Sequence, residues 1–287
     1  MSGPVAARTA DGSRLHLQHG PIDLIIEAWG DPGEVADAYR RAWERFPPVL
    51  DELVAELPAL RRPFDPALGG PSGRVARRMV AAVRPYADRF ITPMAAVAGA
   101  VADEICAEMV VRGDLRRAYV NDGGDIALHL SPGETFDVGL VPVPQLPALL
   151  GKATVRAEDP VRGIATSGRH GRSFSLGIAD AVTVLAASAA RADAAATLIA
   201  NAVDLPGHPA IRRVPASELE PDTDLGTRLI TTEVRALTPD ETAQALASGV
   251  ADAERMRSDG LISAAVLCLN DQVAAIATPV LASADGG

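Results

Sequence analysis

Polar and apolar residues alternate from Ser13 to Leu17, break at His19-Gly20-Pro21 and alternate again to Gly30, the pattern of a β-hairpin. The spacing turns helical from Glu34 to Arg45 and stays helical beyond Val49 until Pro58. Residues 62–73 are rich in Pro and Gly and read as a loop. A helix follows from Arg74 to about Phe90, which Pro85 should kink or end early. Residues 92–113 read as another helix, with Thr92 as its cap, Pro93 in its first turn and Gly113 at its end. Its small residues imply that something packs very close.

Two apolar runs then flank Asn121-Asp122-Gly123-Gly124-Asp125, as two strands about a polar glycine knot. Residues 135–143 and 152–157 read as strands, and residues 163–188 as two apolar strands around a loop of Gly, Ser and Arg. An alanine-rich helix from Ala190, a loop over 208–226 and a helix with Thr238 as cap and Gly260 as stop come next. The chain ends in two apolar runs joined at Asn270-Asp271, a second hairpin signal. Strands and long helices alternate without a βαβ rhythm. The expected fold is α+β, with mixed or antiparallel sheets packed with long helices, in a single domain over 1–287. No internal repeat is visible, and the Pro/Gly-rich stretches 62–73 and 204–226 read as loops within it.

Hydrophobic residues make up 48% of the 287, enough for a substantial core, and aromatics only 3%, so Ala, Val, Leu and Ile must fill it. The scarcity of aromatic platforms argues against base stacking. The net charge of −10, from 27 basic and 37 acidic residues, argues against nucleic acid as partner. Cys106 and Cys268 sit in apolar runs and read as buried free thiols of a reducing compartment. The opening residues lack a basic region followed by a signal-length apolar stretch, and no run approaches the ~20 apolar residues of a membrane span. The expectation is a soluble, cytoplasmic protein without membrane or nucleic-acid partners.

Three stretches could carry chemistry. Gly123 and Gly124 suit either a tight turn or a backbone bared for a ligand, with Asp122 and Asp125 as hard oxygen donors. Thr166, Ser167 and Gly168 follow an apolar strand directly, and such hydroxyls and N–H groups can cradle phosphate. Arg169 and Arg172 add charged donors and His170 an imidazole that could exchange protons; a solvated basic loop is the plainer alternative. Asp193 and Thr197 are four apart on one helical face, suited to magnesium or to a polar stripe facing water.

In order, "NDGGDI", "IATSG", "AVTVLA" and "ADAAAT" resemble the signature stretches of the ApbE family of flavin transferases, and "AVAGAVADEI" is similar to a helix upstream of them. The resemblance covers residues 45–205 or so. It implies an ApbE-like, T-fold-like architecture, binding of FAD or FMN with Mg²⁺, and transfer of FMN to a Thr or Ser of a target. By position, Asp193 and Thr197 match the metal pair, Gly123, Gly124 and Asp125 the glycine turn near the ligand, and Thr166, Ser167 and Gly168 the loop beside the nucleotide. The chain departs from the family at Ala98 and Ala100. It also lacks the His-x-x-x-Asp-Pro-x-Thr-Gly segment expected between "TSG" and "VTV". The pattern resembles a short, cytoplasmic ApbE-like branch of bacteria and archaea.

The sequence supports a flavin- or nucleotide-binding relative of the transferases. It also fits an enzyme, such as a hydrolase of sulfur or heterocycle metabolism, acting on a small anionic metabolite. His170 and Asp180 are then the catalytic candidates and Arg169 and Arg172 an anion clamp. A non-catalytic partner protein is the third option. The small-residue helices fit close packing between elements or between copies in a homo-oligomer.

Overall fold

A computed structural model describes residues 3–140 and 151–277. The chain divides into two compact units that interleave in sequence. The first takes the chain up to Phe136, Arg156–Ala165 and Ala186–Ala194; the second takes Asp137–Val155, Thr166–Leu185 and the chain from Ala195.

In chain order the elements are β1 (Val5–Arg8), β2 (Arg14–His19), β3 (Ile22–Trp29), α1 (Pro32–Arg45), α2 (Pro47–Leu60), α3 (Arg74–Val83), α4 (Val97–Val110), β4 (Arg117–Asp122) and β5 (Asp125–Leu130). Then come β6 (Thr135–Leu140), β7 (Gly151–Arg156), β8 (Gly163–Ser167), β9 (Ala181–Ala186), α5 (Ala189–Ala202), β10 (Ile211–Pro215), α6 (Ala216–Leu219), β11 (Leu229–Val234), α7 (Pro239–Ser258), β12 (Ala264–Leu269) and β13 (Gln272–Ile276). The α+β class with largely antiparallel sheet is as expected.

In the first unit, strands run β1-β2-β3-β4-β5-β8, every neighbour antiparallel. Strict alternation on β3 buries Leu24, Ile26 and Ala28 on one face. Helix α4 packs on β4 and β5, and α1 packs on α4. Their apolar stripes, with Phe46, Met79, Ile105 and Met109, complete a core from which solvent is excluded.

In the second unit, β9, β12 and β13 lie side by side, again antiparallel, with α7 against β12 and β13. A capping box fixes the start of α7: Thr238 accepts the Glu241 N–H and Glu241 accepts the Thr238 N–H. Asn270, in the left-handed region at φ 51°, makes the β12–β13 turn that the Asn-Asp pair predicted.

Four expectations need correction. Helix α2 does not stop at Pro58 but runs on to Leu60; one lost N–H in the last turn is tolerated, and the Arg61 N–H closes onto the Leu57 carbonyl at 3.0 Å. Thr92 makes no side-chain capping bond; it precedes a 3₁₀ turn over Pro93–Ala96, and α4 starts only at Val97. Gly113 lies beyond the helix, whose last cap is Val111. The "loop" at 208–226 contains β10 and α6, and β10 pairs with β11 in a ribbon bulged at Arg212/Arg213. Pro85 does end α3, as expected, at a 3₁₀ turn over Arg84–Tyr86. Of the strand expected over 135–143, residues 141–143 lie outside the described residues.

Candidate functional site

The first unit brings four of the expected residues together at the β4–β5 turn. Asp122 and Asp125 pair across the hairpin, and Gly123 and Gly124 close it at φ 63° and 117°, which glycine adopts without strain. The Asn121 side chain accepts the Gly124 N–H at 2.8 Å. A Cβ at Gly124 would meet nothing within 4 Å, so its main chain borders open space. The tight turn is present, and the main chain at Gly124 faces open space.

Asp193, on α5, is half-buried and accepts the Gly99 N–H at 3.1 Å. Gly99 is the third residue of α4, so this carboxylate caps one of the helix's unsatisfied donors. The favour is returned: Asp103 on α4 accepts the N–H groups of Ala189 and Ala190, the first two residues of α5, at 3.0 and 2.9 Å. Small residues permit this. A Cβ on Gly99 would lie 2.4 Å from the Ala189 carbonyl oxygen, and one on Gly163 only 2.0 Å from the Ala189 nitrogen. Burial, reinforced by the charge of Asp125 and then Asp122, pushes the Asp193 carboxyl well above the usual carboxylate range, against the pull of the Gly99 N–H. Burial likewise raises Asp103, against its two backbone bonds.

Thr197 follows one turn along α5, in the stretch that belongs to the second unit, and is half-buried. Among the described residues no three His, Cys, Asp or Glu side chains are arranged to hold a metal ion. The hard oxygen donors around Asp193 suit a magnesium ion that keeps most of its water, which is how magnesium is usually bound.

The remaining candidates lie in the second unit, where Asp180 organises the loop after β8. It is buried at 7% exposure. Its Oδ1 accepts Arg169 Nε at 2.8 Å and Nη2 at 2.6 Å and lies 3.1 Å from His170 Nε2; its Oδ2 accepts the Asn270 N–H at 2.6 Å. Gly168 makes the approach possible, since a Cβ there would sit 2.3 Å from the Asp180 carbonyl oxygen. Arg169 is thus committed to Asp180, which weakens its expected role as an anion clamp. Arg172 is exposed, Ser167 is half-buried, and the exposed Thr166 shares a 2.9 Å hydrogen bond with Thr183.

Gly99, Asp103, Thr183 and Asn270 were not picked out as site residues by the sequence. Only Gly99 left a signal, the run of small residues around it.

Comparison with known proteins identifies the family of the chain. A family model described as AbpE bacteria matches residues 6–275. The UPF0280 protein MK0206 of Methanopyrus kandleri is 35% identical over 182 residues, 62% of this chain and 69% of that protein. The UPF0280 protein of Archaeoglobus fulgidus is 39% identical over 116 residues, 39% of this chain and 45% of that protein. The matched stretch therefore spans about half the length of the second relative. Among solved structures, a mutant of the flavin transferase ApbE from Vibrio cholerae aligns over 96% of this chain and 97% of its own, with a TM-score of 0.49 and 12% identity. No helix among the described residues is long and apolar enough to cross a membrane.

Proposed function

The chain belongs to the AbpE bacteria family, and on that footing we propose that its first unit binds a flavin nucleotide together with magnesium at the β4–β5 turn. The observation that carries this reading is the Asp193 carboxyl, set beside the charges of Asp125 and Asp122 and relieved by one backbone N–H. A carboxyl pushed toward its neutral form by burial and then by like charges is a poor element of stability and a good half-site for a cation. Asp193 would hold the magnesium, as the ApbE resemblance implies. Asp122 and Asp125 would face its hydration shell.

The bare main chain at Gly124 supports close approach of a ligand. Magnesium, when bound, neutralises phosphate charge. The chain's own residues supply orientation: the Asn121–Gly124 bond fixes the turn, and the α4–α5 contact at Gly99 fixes Asp193. The segment that carries the family's transfer histidine is missing between "TSG" and "VTV". Nucleotide binding, rather than FMN transfer to a target hydroxyl, is the role assigned here.

Calorimetric titration with FAD tests the reading. Binding is expected with magnesium present, and both chelation and Asp193→Asn should abolish it. Absence of any heat at millimolar FAD with magnesium would sink it.

A further inference from the structure

We propose that the second unit carries an acid–base centre of its own, with His170 Nδ1 as the base and Asp180 as the residue that positions it. Asp180 receives donors on both oxygens: two guanidinium N–H groups of Arg169 and the His170 ring on Oδ1, and the Asn270 N–H on Oδ2. Every group facing Asp180 is a donor, and a carboxylate can only accept. Its charge also reaches Cys268, whose thiol is pushed up to about 11 by burial and then by Asp180. The neutral His170 ring must therefore carry its proton on Nε2 to meet Oδ1, which leaves the lone pair on Nδ1. The His170 side chain is 34% exposed, so the ring reaches solvent.

The other histidines show what is particular here. His208 uses both nitrogens internally, Nε2 at 3.0 Å from Glu241 and Nδ1 accepting the Ala210 N–H at 3.2 Å. His16 also pairs with an aspartate, but Asp23 is 46% exposed and water competes for it. Among the described residues, only His170 meets a carboxylate that is both buried and braced. The brace is extensive. Asn270, whose N–H donates to Asp180, is itself tied through Nδ2 to Thr242 on α7 at 3.2 Å. The Arg169 N–H donates to the Ala179 carbonyl at 2.9 Å, so the loop is anchored on both sides of the histidine's carboxylate.

The chemistry this permits is removal of a proton from a water or hydroxyl nucleophile. His170 Nδ1 takes the proton, the imidazolium is held against Asp180, and the proton then passes to the leaving group or to solvent. Arg169 shares Oδ1 and stays paired with the carboxylate. The centre does not depend on nucleotide binding by the first unit, and the experiment reads it without any nucleotide.

Long-range ¹H–¹⁵N spectra of the full chain, with His170→Gln to assign the ring, should show neutral His170 protonated on Nε2 alone. Asp180→Ala should give a mixture of tautomers. Diethyl pyrocarbonate, which acylates an unprotonated ring nitrogen, should modify His170 ahead of His208, and Asp180→Ala should lose that preference. A neutral ring protonated on Nδ1, or His170 modified no faster than His208, overturns the proposal. Both of those measurements are made on the unaltered chain, so they decide the matter even if Asp180→Ala fails to fold.

Discussion

Gly99 and Asp193 join two helices at their N-terminal ends: the backbone N–H of one meets the carboxylate of the other at 3.1 Å. Asp103 makes the reverse connection to Ala189 and Ala190. Each helix thereby caps its neighbour, and the crossing is too close for any side chain at position 99. The candidate carboxylate is positioned by this contact rather than by α5 alone.

Gly99→Ala tests the closeness directly. Alanine is favoured over glycine within a helix by about 1 kcal/mol. Its Cβ would lie 2.4 Å from the Ala189 oxygen, so backbone must move. Overpacking of this kind typically costs about 1–3 kcal/mol, and the net effect should be destabilising. Urea denaturation that finds the variant equal to or more stable than the parent would show that the helices stand further apart.

Asp103→Ala removes the cap from α5, for which losses of about 0.5–2 kcal/mol are usual. Asp103→Asn keeps one acceptor and should lose less. Equal stability of both variants and the parent in thermal unfolding would mean that the Ala189 and Ala190 donors are satisfied without it.

Glu104, next along α4, predicts a pH effect. It is fully buried and meets Arg45 at 2.8 Å and both Arg74 and Arg78 at 3.0 Å. Burial raises its carboxyl, but the bonds from Arg45 and Arg78 outweigh that and leave it below its ordinary 4.5. A depressed folded value means stability that is present above 4.5 and is lost as the pH falls through the folded value. Glu104→Gln should cost about 3–5 kcal/mol near neutrality, as for other broken buried ion pairs, and should flatten the acid limb of the stability curve. An unchanged acid limb would move that dependence to other groups.

What the sequence disclosed follows from how far apart the interacting residues lie. The hairpins at Gly20 and Asn270 and the caps of α7 are local, and residue types within four positions determine them. The closeness at Gly99 showed as a run of small residues, but its partner Asp193 is 94 positions away, and no local pattern reveals that pairing. Arg169 beside glycines looked like a free cation because Asp180 lies 11 residues on, folded beneath it. The β10–β11 ribbon escaped because two arginines and a bulge erase the period-two alternation on β10. Asp180 itself was picked out, yet its brace from Asn270, 90 residues on, was not.

Gly124 gives the sharpest test of where a ligand approaches. Its φ of 117° strains any side chain, and a Cβ there would nonetheless touch nothing. Gly133 is matched to it: φ is 83° and its Cβ would also meet open space. Backbone strain of this kind costs about 1–3 kcal/mol at either position, so Gly124→Ala and Gly133→Ala should be destabilised alike. A nucleotide lying against the β4–β5 turn would collide with the new methyl group at 124 and be indifferent to the one at 133. FAD titrated in the presence of magnesium should therefore bind the Gly133→Ala protein as it binds the parent, and bind the Gly124→Ala protein much more weakly. Equal affinity in both variants would leave the two glycines a purely conformational role and move the ligand away from this hairpin.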